Sequence, residues 1–256
     1  MRTTMRQYMK RWELKNKAKD KLAGKYSEGI LLTLTYGVFL IAESVMTTIL
    51  MYSFTDNSSL LKNMLLNRVS TNGYLFSLGF SLIAGILTSA LGVGVSLFYL
   101  KIACGQPFSI RDLFCAFREN TNKYLSIASL QILIHFICMV PAYLCNYFYL
   151  VEATTQWALL FYICQLVGNL VAYPLILGLS QCYRLLLDYP TLSVRKTIAG
   201  SFRLMKGHKM RLFLLTLSFL PLELAAVFTC GIGYLWLSPY MNMTYTLFYL
   251  DLMHSE

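Results

Sequence analysis

Six long apolar segments, each with almost no charge, constrain the fold of this chain more than any other feature. They cover residues 29–54, 74–100, 124–150, 156–187, 210–229 and 235–253. About 20 apolar residues are enough for a helix to cross the hydrocarbon core of a bilayer. An open chain can satisfy its backbone hydrogen bonds in that core only as helices. The sequence therefore predicts an all-α fold, a polytopic transmembrane helical bundle with six membrane helices.

Composition supports this prediction and limits the number of domains. Only 13% of the 256 residues are charged, whereas soluble domains carry about 25%. We expect a basic arm over 1–28 and a single transmembrane domain over 29–256, with no separate soluble domain. The arm holds nine Lys or Arg and no apolar core, so it does not resemble a cleavable signal peptide.

Short amphipathic patterns occupy the basic connections between the apolar segments. Residues 109–121 place Ile110, Leu113, Phe114 and Phe117 at helical spacing, and residues 193–206 show a similar pattern after Ser193. In the arm, Met5, Met9 and Trp12 are spaced for one helical face. We predict three basic amphipathic helices that lie in the membrane interface. Gly24 is the expected stop of the first one.

The cations are strongly segregated along the chain. Twenty of the 22 Lys and Arg fall in the arm and in the second and third basic connections, and only Lys62 and Arg68 fall elsewhere. The positive-inside rule predicts that these basic regions, and both termini, are cytoplasmic. The net charge of +10 is thus expected on a membrane face, and no nucleic-acid partner is predicted.

Eight of these cations are candidate contacts to anionic lipid headgroups or a partner protein. They are Arg111, Arg118, Arg195, Lys196, Arg203, Lys206, Lys209 and Arg211. Anchoring and topology alone would explain the same residues, and both interpretations stay open.

Polar residues inside the apolar segments are candidate functional groups, because ionisable side chains are costly in a membrane. They are Glu43, Gln131, His135, Asn169 and Glu223. Glu43, His135 and Glu223 lie at comparable depths after an entry lysine. Such a cluster could carry a proton or bind a cationic or polar substrate. The alternative is that each residue is a lone hydrogen-bonded structural group.

Prolines and small residues fall inside the predicted membrane helices. Pro141, Pro174, Pro221 and Pro239 predict helix kinks, which occur in ordinary bundles and also in transporters. Small residues at every fourth position from Ser77 to Ser89 predict close helix packing. The order of interfacial helix, membrane helix, turn and membrane helix recurs three times, which suggests a three-fold hairpin repeat.

No motif in the chain indicates catalysis, metal binding or cofactor binding. We find no catalytic residues, no metal site and no cofactor motif, and the seven cysteines form no CxxC pair. We therefore expect a chain that is not an enzyme.

The segments SFRLMKGHKMRLFLLTLSFL and GIGYLWLSPYMNMTYTLFY resemble the DUF975 family of bacterial integral membrane proteins, as does the preceding LLLDYPTLSVRKTIAGS. The resemblance is specific over about 181–249 and general elsewhere. It implies a multi-pass protein of the bacterial inner membrane and no established activity. The chain is distantly similar to the membrane part of some glycerophosphodiester phosphodiesterases, but it has no hydrolase domain, so that activity is not carried over.

Two functions follow as expectations. The first is a non-enzymatic membrane module that contacts anionic lipid or a partner protein through its basic cytoplasmic face. The second is a small-molecule or lipid transporter or exporter that uses the intramembrane Glu/His cluster. Substrate, partner and oligomeric state are not indicated by the sequence.

Overall fold

A computed structural model describes residues 8–54, 60–65, 69–152 and 154–253. Met5 and Arg68 lie outside these ranges. Every regular element in the described part is helical. The α-helices are α1 Arg11–Leu22, α2 Tyr26–Ser53, α3 Leu60–Leu65, α4 Thr71–Cys104, α5 Thr121–Glu152, α6 Thr155–Leu179, α7 Cys182–Asp188, α8 Val194–Leu204, α9 Lys209–Leu217, α10 Leu220–Phe228 and α11 Tyr234–Met253. A 3-10 helix, Ile110–Phe117, lies between α4 and α5.

Five helical segments are long and apolar enough to cross a membrane. They are Tyr26–Ser53, Thr71–Cys104, Thr121–Glu152, Thr155–Asp188 and Lys209–Phe228. At most 28% of the apolar window of any of them is buried, so most of their apolar surface requires lipid. The predicted all-α fold is confirmed for the described residues, with five candidate membrane spans. The sixth expected span, α11, is not among these five.

Two compact units divide the chain. One comprises, within the described part, residues 8–37, 90–127 and 177–253, and we call it the basic unit. The other comprises the described residues of 38–89 and 128–176, and we call it the apolar unit. Each of α2, α4, α5 and α6 contributes residues to both.

The core of the basic unit is built around α11. Eleven of its residues are buried, among them Met243, Phe248 and Tyr249. Met243 and Phe248 share one buried cluster with Phe98 and Ile102 of α4 and with Phe219, and Tyr249 belongs to a second cluster. Because α11 is enclosed by protein, it tolerates Ser238, Asn242 and several threonines. Those residues lower its hydropathy.

Helix α1 packs against α11 through a face that is distinct from the predicted membrane-facing one. Leu14, Ala18 and Leu22 are buried, whereas Trp12 is 61% exposed. The buried residues are four apart and therefore share one helical face. Trp12 lies off this packed face, and the prediction that its face lies on the membrane stays a prediction. The predicted stop is confirmed, because Gly24 has φ +76° and follows the end of the helix.

The predicted membrane helix 210–229 is interrupted at Ser218–Phe219. Pro221 is the second residue of α10, and it has no N–H to donate to a carbonyl of the preceding turn. Lys15 of α1 donates from Nζ to the Ser218 carbonyl oxygen at 2.8 Å, and its ammonium lies 4.0 Å from the Phe219 ring centroid. A side chain of α1 thus satisfies a carbonyl at the break. Burial, followed by the nearby Lys19 and Arg11, lowers the pKa of Lys15.

The other three prolines do not interrupt their helices. Helices α5, α6 and α11 continue through Pro141, Pro174 and Pro239. The predicted helix 156–187 instead divides at Ser180–Gln181 into α6 and α7.

The predicted interfacial helix 109–121 is shorter and of a different type. It is the 3-10 helix Ile110–Phe117. With three residues per turn, Leu113 and Ala116 share a face and are buried, while Phe114 and Phe117 are exposed. A Cβ on Gly94 would stand 2.1 Å from the Leu113 carbonyl oxygen, so α4 touches this backbone directly.

In the apolar unit, small residues bring the helices together as predicted. Ser77 is buried. A Cβ on Gly85 would be 3.6 Å from Ile132 Cδ1 and 3.7 Å from Glu43 Oε1. A Cβ on Gly168 would be 2.6 Å from the Cys138 carbonyl oxygen. Glycine at position 168 therefore lets α6 approach α5 closely, whereas a Cβ at position 85 would make only ordinary contacts with α5 and α2.

Candidate functional site

Helix α8 carries exposed cations because its other side is fixed to the basic unit. Thr197, Ser201 and Leu204 are buried. Ser201 Oγ donates to the Gly178 carbonyl oxygen at 2.7 Å. A Cβ on Gly178 would be 2.4 Å from the Phe202 ring, which shows how closely α8 lies against the end of α6.

Six of the eight candidate basic contacts are exposed. They are Arg111, Arg118, Arg195, Lys196, Arg203 and Lys206. Lys209 is half-buried, with its ammonium 5.2 Å from the Phe202 ring centroid. The acidic residue inside the 3-10 helix is neutralised locally, because Lys101 Nζ lies 2.8 Å from Asp112 Oδ1. Asp112 also accepts from the Ser109 N–H at 2.9 Å and caps this helix.

Arg211, the eighth candidate, is bound inside the protein. Its Nη2 contacts Asp251 Oδ2 of α11 and donates to the Met9 carbonyl oxygen. The Met9 N–H donates to the other oxygen of Asp251 at 3.2 Å. The guanidinium carbon also lies within about 5 Å of the Tyr8 and Phe248 ring centroids. Arg211 therefore joins the chain before α1 to the end of α11.

Beside this ion pair, His208 has a lowered pKa. Its ring packs edge-on against Tyr8 at 4.6 Å between centroids. Burial lowers the pKa of His208, the positive Arg211 lowers it further, and Asp251 opposes the shift. The neutral imidazole is thus favoured around neutral pH.

A groove opens between α7 and α8. Its volume is about 570 Å³, and its lining is Leu185, Tyr189, Leu192, Lys196, Ala199, Gly200, Arg203, Leu204 and Met253. Two of the exposed cations, Lys196 and Arg203, are therefore at its surface. The remaining lining is mostly apolar.

A buried arginine, Arg184, lies near this groove. The sequence did not predict its burial, and only its place in an apolar run pointed to it. Arg184 of α7 is 9% exposed. Its Nη1 lies 3.4 Å from Gln181 Oε1 and 3.5 Å from the Ser180 carbonyl oxygen. Its Nε is buried without a hydrogen-bond partner among the described residues. Nearby, the Tyr249 hydroxyl donates to Asp188 Oδ2 at 2.5 Å.

Four of the predicted intramembrane polar residues lie in the apolar unit, and Glu223 lies in the basic unit. Thr88 Oγ1 is 3.0 Å from Glu43 Oε2, which ties α2 to α4. Gln131 and His135 are one helical turn apart on α5 and are half-buried. Ile132 and Glu43 both border Gly85.

The other two residues are less enclosed. Asn169 is exposed, and its Nδ2 donates to the Gln165 carbonyl oxygen of its own helix at 2.8 Å. Glu223 is half-buried in the first turn of α10. The predicted cluster of all five residues stays a prediction.

The described residues offer neither a metal site nor an activated thiol. Within the ranges that the structure describes, there is no group of three or more His, Cys, Asp or Glu suited to hold a metal ion. Burial, together with Asp112, raises the pKa of Cys115 in the 3-10 helix to about 11, so this thiol is protonated at neutral pH. Cys145 and Cys164, on α5 and α6, have their sulfur atoms 3.9 Å apart.

Comparison with known proteins gives one result. No curated protein matches the chain, and no solved structure does. A family model described as "Protein of unknown function (DUF975)" matches residues 5–256, nearly the whole length. This match agrees with the resemblance of the region that contains α7 to α11 and extends it to the arm. The chain belongs to the DUF975 family.

Proposed function

We propose that the chain is a non-enzymatic module of the bacterial inner membrane that contacts anionic lipid through its basic face. The observation that carries this proposal is the set of six exposed cations on and beside the 3-10 helix and α8. Phe114 and Phe117 are exposed between Arg111 and Arg118. Aromatic and cationic side chains in this arrangement suit the boundary between headgroups and acyl chains.

The orientation that we propose is six spans with both termini in the cytoplasm. The hydrogen bond from Met9 to Asp251 supports it, because residues in direct contact outside the bilayer core lie on the same side. Five apolar helical segments alone would separate the two ends. Counting α11 as the sixth span returns them to one side, and the positive-inside rule assigns that side to the cytoplasm.

The lipid contact predicts enrichment of anionic lipid around the protein. Each Lys or Arg near an anionic surface contributes roughly 1 kcal/mol. We expect protein extracted in polymer-bounded native discs to carry a higher fraction of phosphatidylglycerol than the bulk membrane, as measured by lipid mass spectrometry. Replacing Arg111, Arg118, Arg195 and Lys206 by Gln should bring this fraction close to the bulk value.

The matched control is Lys62→Gln, which removes a cation from a segment that we expect on the opposite side of the membrane. It should leave the enrichment unchanged. If the fourfold variant kept the full enrichment, the basic face would not select lipid. A protein partner would then be the better interpretation of the same cations.

A further inference from the structure

The groove between α7 and α8 combines an apolar lining with charge of one sign. Leu185, Leu192, Leu204 and Met253 are among its apolar lining residues. Lys196 and Arg203 are both exposed, and neither forms an ion pair within the described residues. The lining contains no carboxylate. A ligand that satisfies this surface must therefore have an apolar part and an anionic part.

The spacing of the two cations fits a single headgroup. Lys196 and Arg203 are seven residues apart on α8, which is two helical turns, or about 10 Å along the axis. Their long side chains can converge on one phosphate lying between them. Asp188, just before the groove residue Tyr189, does not line the groove, and its carboxylate accepts a hydrogen bond from Tyr249.

The apolar wall of the groove is supported by a packed cluster behind it. Leu185 and Leu204 pack with Leu100 and Tyr249, and Leu192 and Met253 pack against that cluster. A Cβ on Gly200 would lie 2.8 Å from Leu185 Cδ2, so α7 and α8 are already in close contact. The groove is thus formed without a ligand, and its volume lies within the range of small-molecule sites.

We propose that this groove binds one anionic phospholipid from the surrounding bilayer. The phosphate lies between Lys196 and Arg203, and an acyl chain lies along Leu185, Leu192, Leu204 and Met253. This inference rests on the proposed function, since it assigns one specific lipid site on the basic face. A second copy of the chain is disfavoured as the occupant, because the same face would bring like charges together.

The test uses the full-length protein in mild detergent with phosphatidylglycerol or phosphatidylcholine of identical acyl chains. Native mass spectrometry counts the bound lipids. We expect one phosphatidylglycerol to be retained in preference to phosphatidylcholine. The double variant Lys196→Gln/Arg203→Gln should bind it about thirtyfold more weakly, given the contribution of each cation near an anionic headgroup.

A charge-matched control separates this site from general attraction. The double variant Arg11→Gln/Lys17→Gln also removes two exposed cations of the basic unit, but from α1, and it should retain phosphatidylglycerol as the unmodified protein does. Equal weakening by both double variants would overturn the site. Unlike the enrichment measurement, which concerns cations outside the groove, this experiment can fail while the proposed function stands.

The apolar half of the site is tested separately. Ala199 is exposed and lines the groove, so Ala199→Trp should fill the groove without disturbing the core and should abolish retention. Asn16→Trp, at an exposed position of α1, is the control for bulk and should have no effect. Retention by the Ala199→Trp variant would contradict an acyl chain in the groove.

A soluble anion is the alternative source of the same headgroup chemistry. Glycerol phosphate has the phosphate but no acyl chain, and we expect no displacement of the lipid at concentrations up to the millimolar range. Displacement at the same concentration as phosphatidylglycerol would show that the groove is a site for a soluble phosphate ester. Equal retention of phosphatidylcholine would show that the cations do not select the headgroup.

Discussion

At the scale of single residues, one ion pair connects three parts of the basic unit. Arg211 at the start of α9 binds Asp251 of α11, and both bind the backbone of Met9 before α1. The side chain of Asp251 is only 9% exposed and that of Arg211 is 20% exposed. The net contribution of such an enclosed ion pair to stability is small, because both charges lose their hydration. Removing only one partner destabilises the protein much more, because the remaining charge is left without compensation.

We therefore predict that Asp251→Asn destabilises the protein by about 3 kcal/mol. The amide keeps the shape of the carboxylate but leaves the Arg211 charge unpaired. Chemical unfolding in detergent micelles measures the loss. Asp20→Asn is the matched control, since Asp20 is an exposed residue of α1 and the same substitution there should change stability little. An equal loss in both variants would mean that the pair contributes nothing of its own.

At the scale of elements, glycines decide how closely helices approach. Gly94 of α4 faces the backbone of the 3-10 helix, and a Cβ there would stand 2.4 Å from Leu113 Cα. Backbone atoms cannot move aside as the end of a flexible side chain can. Gly92, two residues earlier, has nothing within 4 Å of its Cβ position. The two residues lie in the same helix and differ only in what they face.

This contrast gives a second prediction. Gly94→Ala should destabilise the protein and loosen the 3-10 helix, because either α4 or Leu113 has to shift. Gly92→Ala should be neutral or slightly stabilising, by up to about 1 kcal/mol, because alanine favours the helix. Thermal unfolding in detergent, together with proteolysis of the segment that contains the 3-10 helix, measures both effects. Similar behaviour of the two variants would contradict the close contact.

The elements also show what the sequence could predict. The outer bounds of the five long apolar helical segments agree with the prediction to within a few residues, because the apolar runs report them directly. The breaks at Ser180–Gln181 and Ser218–Phe219 were not predicted. Burial of Leu14, Ala18 and Leu22 was missed, because α1 is mostly polar and its packing depends on α11, more than 200 residues away. The 3-10 helix was missed because Ile110, Leu113, Phe114 and Phe117 also fit an α-helical face. The burial of Arg184 could not be predicted from the neighbouring residues beyond its place in an apolar run.

At the scale of the whole molecule, the contact between residues near the two ends of the described chain supports the proposed orientation. The N–H of Met9 donates to Asp251, and α1 packs along α11. Under the proposed orientation, these contacts go with an even number of crossings between residues 9 and 251. The structure has five candidate spans, and α11 is not among them because residues such as Ser238 and Asn242 lower its hydropathy.

We predict that reporters fused to the two ends give the same compartment. Green fluorescent protein should fluoresce and alkaline phosphatase should be inactive at both the N-terminus and the C-terminus. A fusion after Phe54, at the end of the first membrane helix, is the internal control and should give active phosphatase. Active phosphatase at the C-terminus with an inactive N-terminal fusion would refute the sixth span.

The packing of α1 on α11 also has a consequence for biosynthesis. Helix α1 leaves the ribosome before α11, against which it packs in the folded protein. Until α11 has been made, the arm therefore lacks this docking surface and keeps the apolar stripe of Leu14, Ala18 and Leu22 exposed. Docking of α1 can follow only after α11 has been released. A nascent or truncated chain that lacks α11 would display this stripe, and a membrane protease could use it to distinguish incomplete chains from finished ones.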